Sequence, residues 1–249
     1  MNLLALDTGT EFLSIALRTD GAEGTRVVEH HSAGGAKAST DLIAAILQML
    51  AEAGVRLDQL DAICFGSGPG SFTGLRTACS VVQGLAFGAG VPVLAVDSLL
   101  AVAEDARFRV APNVPALQVM ALLDARMDEM YVARYGYTQG QWQTLQPSAL
   151  LKPQDLTTQS AEVGVPHLLA GNVFTVYADR LPAQALQSAQ VVQALPMAAA
   201  MLRLAPAMLS AGLAVDAALA MPSYIRDKVA KTTAEREAEK VAAQAVAAR

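Results

Sequence analysis

The chain opens with two short apolar runs separated by a polar turn. Residues 2–6 are strand-like, Asp7-Thr8-Gly9-Thr10 carries turn residues, and residues 12–17 resume with alternation, which predicts a β-hairpin. Asp20-Gly21 supports a second turn, and residues 25–30 supply a third strand. Ser39 or Thr40 can then cap a helix whose apolar face is Leu42, Ile43, Ile46, Leu47, Met49 and Leu50, with Gly54 where a C′ glycine belongs. Residues 61–65 read as a buried strand, residues 77–87 as a helix, residues 91–96 as an apolar strand, and residues 99–106 as a helix capped by Asp97 or Ser98. Alternation of strand and helix implies parallel pairing with helices on the sheet faces.

A second half begins near Pro112, and it repeats the opening. Residues 116–123 are strand-like, residues 124–128 form a turn, and residues 130–137 return as a strand. Residues 142–145 can pair next, Pro153 starts a helix, residues 167–170 form a short strand, and Gly171-Asn172 leads into another helix. Residues 196–213 predict a helix interrupted at Pro206. The division expected is a first lobe at residues 1–111, a second at 112–228 and a mobile tail at 229–249, whose sequence has no apolar face worth a core.

Between the strand at 61–65 and the helix at 77–87 lies Gly66-Ser67-Gly68-Pro69-Gly70-Ser71-Phe72-Thr73-Gly74-Leu75-Arg76. Its glycines and proline predict an irregular loop whose backbone is approached closely. It fits neither a P-loop, since Gly74 is followed by Leu75 and Arg76, nor a dinucleotide fingerprint, nor a nucleophile elbow around Ser71. Two readings stand at this point: close helix–strand packing, or backbone contact with an anion.

Composition narrows the class. With 249 residues, 53% hydrophobic and 16% charged, the chain can bury a large core, and its net charge of −5 gives the body no electrostatic footprint for nucleic acid. Basic residues gather late, at Arg226, Lys228, Lys231, Arg236, Lys240 and Arg249. Cys64 and Cys79 sit among apolar neighbours and read as reduced packing residues. No signal-peptide pattern opens the chain, and the apolar stretch at 77–96 is broken by Gly88, Gly90 and Pro92, so a cytoplasmic protein without a membrane span is expected.

A strand-turn-strand with Asp-x-Gly-Thr at its turn, repeated in two halves, resembles the actin, sugar kinase and heat-shock-70 ATPase superfamily. Within it, the sequence is similar to the bacterial TsaB family, also called YeaZ. The residues that carry the likeness are Leu4-Ala5-Leu6-Asp7-Thr8-Gly9-Thr10, the loop from Gly68 to Arg76, Leu123-Asp124-Ala125-Arg126-Met127-Asp128-Glu129-Met130-Tyr131, and Pro222-Ser223-Tyr224-Ile225-Arg226-Asp227-Lys228. The resemblance implies an α/β, two-lobed actin-like/heat-shock-70 ATPase-like (ASKHA) fold, each lobe a mixed sheet with flanking helices. It also implies a non-catalytic subunit in the making of N6-threonylcarbamoyladenosine in tRNA. Such a subunit pairs with a TsaD-like catalytic subunit, which transfers the threonylcarbamoyl group to adenosine 37 of tRNAs reading codons that begin with A, and a TsaE-like ATPase joins the pair. Transfer RNA is then reached through the complex.

The residues themselves bear on that expectation. His30, His31 and His167 offer no two-histidine spacing, so no metal centre is expected. Asp7, Thr8, Gly9 and Thr10 could form one phosphate-binding turn, but the turn at 124–128 has no glycine to form its counterpart. Asp7 is therefore expected to stabilise its own turn, with residual nucleotide or magnesium contact as the alternative; no cofactor is expected to bind firmly, and a complex interface is left open as a site for ATP or ADP. Arg76, early in a helix where a cation is unfavourable, calls for a carboxylate such as Asp7 or Glu104, or for a partner's anion. Asp124 and Arg126 are read as a structural pair at the hairpin turn, with contact to a partner as the alternative. The partner face is expected on the loop and its helix, at Gly68, Gly70, Ser71, Thr73, Gly74, Arg76, Ala78, Val81, Val82 and Leu85, with the apolar ridge at 42–50 beside it, and a homodimer is expected in isolation. An independent ATP-dependent enzyme is the competing function. A protease is disfavoured because Ser71 has no recognisable base.

Overall fold

The computed structural model describes residues 1–22, 24–34, 38–157 and 165–226, with the side chains of 38–41 outside the description. The expectation of a mobile tail at 229–249 lies outside the described residues. The first lobe contains β1 (Asn2–Asp7), β2 (Phe12–Gly21), β3 (Gly24–Ala33), α1 (Ala38–Ala53), β4 (Ala62–Gly68), α2 (Phe72–Ala89) and β5 (Val93–Asp97). The helix α3 (Ser98–Val110) leads to β6 (Ala116–Arg126), β7 (Glu129–Thr138), β8 (Gln141–Leu151), β9 (His167–Gly171), α4 (Val173–Val176), α5 (Ala183–Gln187), β10 (Gln190–Gln193) and α6 (Ala198–Ser210).

Among the described residues the strands form two five-stranded sheets, in the orders β3-β2-β1-β4-β5 and β10-β9-β6-β7-β8. Read from its other edge, the second order repeats the first. In each, three antiparallel strands are followed by two added in parallel. This is the two-lobed, actin-like arrangement expected from the paired hairpins.

Period-2 alternation sorts the core. On β1, Leu4 and Leu6 face α1 and α2, while Leu3 and Ala5 face α6. On β6, Leu117, Val119, Ala121 and Leu123 face α3, while Met120 and Leu122 face α4 and α5. The result is five layers: α1 with α2, the first sheet, α3 with α6, the second sheet, α4 with α5. The middle layer is shared, since Ala101 of α3 joins the first lobe's core while Leu99, Val102, Ala103 and Ala106 join the second's.

Several expectations change. The loop at 66–76 is shorter than its glycines suggested: β4 runs to Gly68, and α2 starts at Phe72 with Ser71 as its cap. A glycine in the first helical turn is inexpensive when, as at Gly74, close packing requires it. Residues 196–213 do not break at Pro206, because α6 runs through it with residues on both sides seated against the first sheet. That seat places α6 with the first lobe in space, although the chain enters it from the second. Pro153 starts only a 3-10 turn, Pro153–Asp155. On α1, Leu42, Ile46, Met49 and Leu50 are buried, whereas Ile43 and Leu47 are 43% and 49% exposed. Among the described residues no helix is long and apolar enough to cross a membrane.

Candidate functional site

A cleft of about 760 Å³ opens between the lobes. One wall is the β1–β2 turn and the start of α2, with Thr8, Gly9, Thr10, Gly70, Ser71, Thr73 and Gly74; the other is the β6–β7 turn, with Asn172 and Arg226 beside it.

The first wall is made by two loops docked on each other. The backbone N–H of Ser71 donates to the Gly9 carbonyl at 2.7 Å, and the Thr8 hydroxyl donates to the Gly74 carbonyl at 2.7 Å. A Cβ on Gly70 would stand 2.8 Å from the Gly9 oxygen, and one on Gly74 would stand 1.8 Å from the Thr8 oxygen. Gly68, at φ +120°, has the Ser223 carbonyl where a Cβ would go. These glycines thus serve packing between backbone segments, the first of the two readings of the loop.

Asp7 does not line the cleft. It is 1% exposed, and its Oδ1 accepts the N–H of Gly9 at 2.8 Å, which is the turn-stabilising role expected of it. Among the described residues its Oδ2 has no hydrogen-bond partner, and it lies against Gly66. Burial pushes its carboxyl up to about 7, against the opposing pull of the Gly9 N–H and the Ser98 hydroxyl. A magnesium-side role would need this carboxylate at the cleft surface.

Arg76 takes neither carboxylate proposed for it. Asp7 is sealed, and Glu104 is occupied by Arg107 and Arg203. Instead the Arg76 Nε donates to the Tyr224 hydroxyl at 3.1 Å, and its guanidinium lies over the rings of Phe72 and Tyr224, which stack at 4.8 Å.

The second wall is unusual in its backbone. Arg126, Met127 and Asp128 all take left-handed φ values, of 60°, 54° and 61°. The carboxylate of Asp124 accepts the Arg126 N–H at 2.8 Å and pairs with its guanidinium at 3.2 Å, so the expected structural pair is formed. Tyr177 donates its hydroxyl to Asp124 at 2.7 Å, Arg180 pairs with Asp128 at 2.7 Å, and Arg226 pairs with Glu129 at 2.5 Å.

The described residues of the four stretches that carried the family likeness therefore converge at the mouth of this cleft. Ser223 donates its N–H to the Ser67 carbonyl at 2.7 Å, Tyr224 stacks on Phe72, and Arg226 reaches the second wall. The placement of Asn172, Tyr224 and Arg226 depends on contacts far apart in sequence, and spacing alone gave no sign of it.

The helix face expected to meet a partner divides in two. Ala78 and Val82 are fully buried in their own lobe's core, so they belong to packing and not to a surface. Val81 and Leu85 are half-buried; Ser80, Gly84 and Gly88 are exposed, and Phe87 is 79% exposed. Gly84 and Gly88, which sequence reasoning passed over, have open space where a Cβ would stand.

Comparison with known proteins identifies the family. Residues 29–234 match the family described as TsaD: tRNA N6-adenosine threonylcarbamoyltransferase. The tRNA threonylcarbamoyladenosine biosynthesis protein TsaB of Escherichia coli is 32% identical over 233 residues, covering 92% of this chain and 96% of that protein. TsaB of Haemophilus influenzae is 42% identical over 135 residues, covering 54% of this chain and 53% of its own. The solved structure of YeaZ from Pseudomonas aeruginosa superposes with a TM-score of 0.77 at 37% identity, covering 90% of this chain and 99% of that one. Within the family that the TsaD description covers, the chain belongs to the TsaB family, also called YeaZ.

Proposed function

We propose that the chain is a non-catalytic subunit in the formation of N6-threonylcarbamoyladenosine in tRNA, required by a TsaD-like catalytic subunit and joined by a TsaE-like ATPase. The observation that carries this reading is the outer face of α2. A glycine inside a helix costs about 1 kcal/mol relative to alanine. Gly84 and Gly88 bear that cost with no described residue close enough to require a missing Cβ. Phe87, 79% exposed on the same helix, adds an apolar side chain to this face, and α1, packed on the same face of the sheet, exposes Ile43 and Leu47. A partner helix packed closely on this face accounts for both features. A second copy of the chain could use the same face in isolation.

Two further observations support the non-catalytic part. Asp7, the acidic residue of the first turn, is sealed from the cleft, and the second turn is built from side-chain clamps with no glycine-rich cradle. Any ATP or ADP is then assigned to the interface of the assembled complex, and tRNA to the complex as a whole, in keeping with the net charge of −5. An independent ATP-dependent enzyme remains the second reading, favoured by the size of the cleft.

The test is reconstitution. The purified chain is mixed with a TsaD-like subunit, a TsaE-like ATPase, tRNA, ATP and threonylcarbamoyl-adenylate, and modified adenosine is measured with and without it. Formation that requires this chain, while the chain alone neither turns over ATP nor modifies tRNA, supports the proposal. Turnover of ATP by the chain alone supports the second reading.

A further inference from the structure

Folds of two lobes around a cleft invite a hinge between them, yet the contacts joining these lobes are of a kind that a hinge must break. At the back of the cleft lies the carboxylate of Glu104 on α3, 2% exposed. Its Oε1 accepts from Arg107 Nη2 at 2.9 Å and Arg203 Nε at 2.8 Å, and its Oε2 accepts from Arg107 Nε at 2.8 Å and Trp142 Nε1 at 3.2 Å. Arg203 belongs to α6, which is seated on the first sheet, and Trp142 belongs to β8 of the second sheet. The Trp142 ring also packs against the cores of both lobes. One buried carboxylate thus ties three bodies together, and parting any of them strands a buried charge without its partner.

Two further links cross the same boundary. Tyr135 of β7, 1% exposed, donates its hydroxyl at 2.8 Å to Asp97 at the end of β5. At the mouth, residues 223–226 run from the first lobe to the second: the N–H of Ser223 is bonded to Ser67, Tyr224 is stacked on Phe72, Ile225 packs against the second core, and Arg226 is paired with Glu129. The lobes are therefore joined behind the cleft's lining by Glu104 and Tyr135, and at its mouth by this strap.

We infer that the two lobes form one rigid body and that the cleft between them keeps a fixed width, with Glu104 as the bolt at its back. Opening or closing the cleft would draw Trp142 away from Arg203 and strip Tyr135 from Asp97 together. The cleft then presents a preset surface and does not close on a ligand. This inference stands independently of the proposed subunit role.

The test is a distance measurement across the full chain. Spin labels at Ser80→Cys on α2 and Asp179→Cys after α4 sit on exposed positions of the two outermost layers, while native Cys64 and Cys79 are buried. The expected result is a single narrow distance distribution that does not move when millimolar Mg-ATP is added. In Glu104→Ala a second, shifted distance appears. Should that variant fail to fold, Trp142→Phe keeps a ring in place but removes the Nε1–H donor, and it broadens the distribution. A wild-type distribution that is broad, or that shifts with Mg-ATP, overturns the inference. A distribution left equally narrow by the variants overturns the role given to Glu104.

Discussion

Asp7 Oδ2 and Gly66 lie so close that a Cβ on residue 66 would stand 1.8 Å from the carboxylate oxygen. The glycine of β4 leaves just enough room for a side chain that the fold then seals from water. A carboxylate so placed, with one oxygen unpartnered, is costly to ionise.

That cost sets a pH dependence. The folded carboxyl titrates near 7 against an ordinary value of 3.8, so the folded state binds the proton more tightly than the unfolded one. The stabilisation is complete below the unfolded value and is lost as pH rises from about 4 to about 7. The full difference is on the order of 4 kcal/mol. Asp7→Asn keeps an oxygen for the Gly9 N–H, so its stability should change little across that window and should exceed wild type at pH 8. Chemical denaturation between pH 4 and pH 8 checks this; parallel curves for the two proteins would count against a sealed, titrating Asp7.

Gly74 and Gly88 lie on the same helix but answer to different neighbours. Gly74→Ala drives a methyl into the Thr8 carbonyl, 1.8 Å away, and should destabilise by roughly 3 kcal/mol, as overpacking of a rigid contact does. Gly88→Ala meets open space and should stabilise the isolated chain by about 0.5–1 kcal/mol. Thermal melts of the two variants should therefore shift in opposite directions.

An arginine at position 84 should not disturb the chain's own fold, since no described residue stands within 4 Å of a Cβ there. On the proposed partner face it is an obstruction. Gly84→Arg should melt like wild type yet lose association with a TsaD-like subunit and with itself, read by analytical ultracentrifugation. Undiminished association would move the partner face elsewhere.

Arg226 clamps a turn whose three left-handed residues each cost about 1–2 kcal/mol. Its side chain is 10% exposed and its partner Glu129 33% exposed, so Arg226→Ala should cost roughly 1–3 kcal/mol. Amide exchange at residues 126–130 should rise more than at the opposite wall. Uniform protection in the variant would show that Asp124 and Arg180 suffice to hold the turn.

Much of the architecture was legible in sequence because it rests on local signals. Alternation in residues 2–6 and 12–17 was enough for the first hairpin, and Asp97 capped α3 as its position suggested, accepting the N–H groups of Leu99 and Leu100. The site was less legible. The helix dipole points Arg76 to a carboxylate or a partner's anion, but within the chain its neighbours are the rings of Phe72 and Tyr224, and Tyr224 is brought there by a strap 148 residues away in sequence. Ala78 and Val82 look identical in sequence to interface residues; only the sheet beneath α2 decides that they face inward. The helix and the strand at 183–193 are short, without a periodic signal long enough to read.

The most direct measurement compares two variants in the reconstituted tRNA modification assay. Asp7→Asn removes the acidic group that an ATP-using enzyme of this fold would need, while Gly84→Arg leaves Asp7 and the cleft intact and obstructs the outer face of α2. A non-catalytic docking subunit predicts near wild-type formation of modified adenosine with Asp7→Asn and its loss with Gly84→Arg. Loss with Asp7→Asn in a complex that still assembles, together with full activity of Gly84→Arg, would contradict that role.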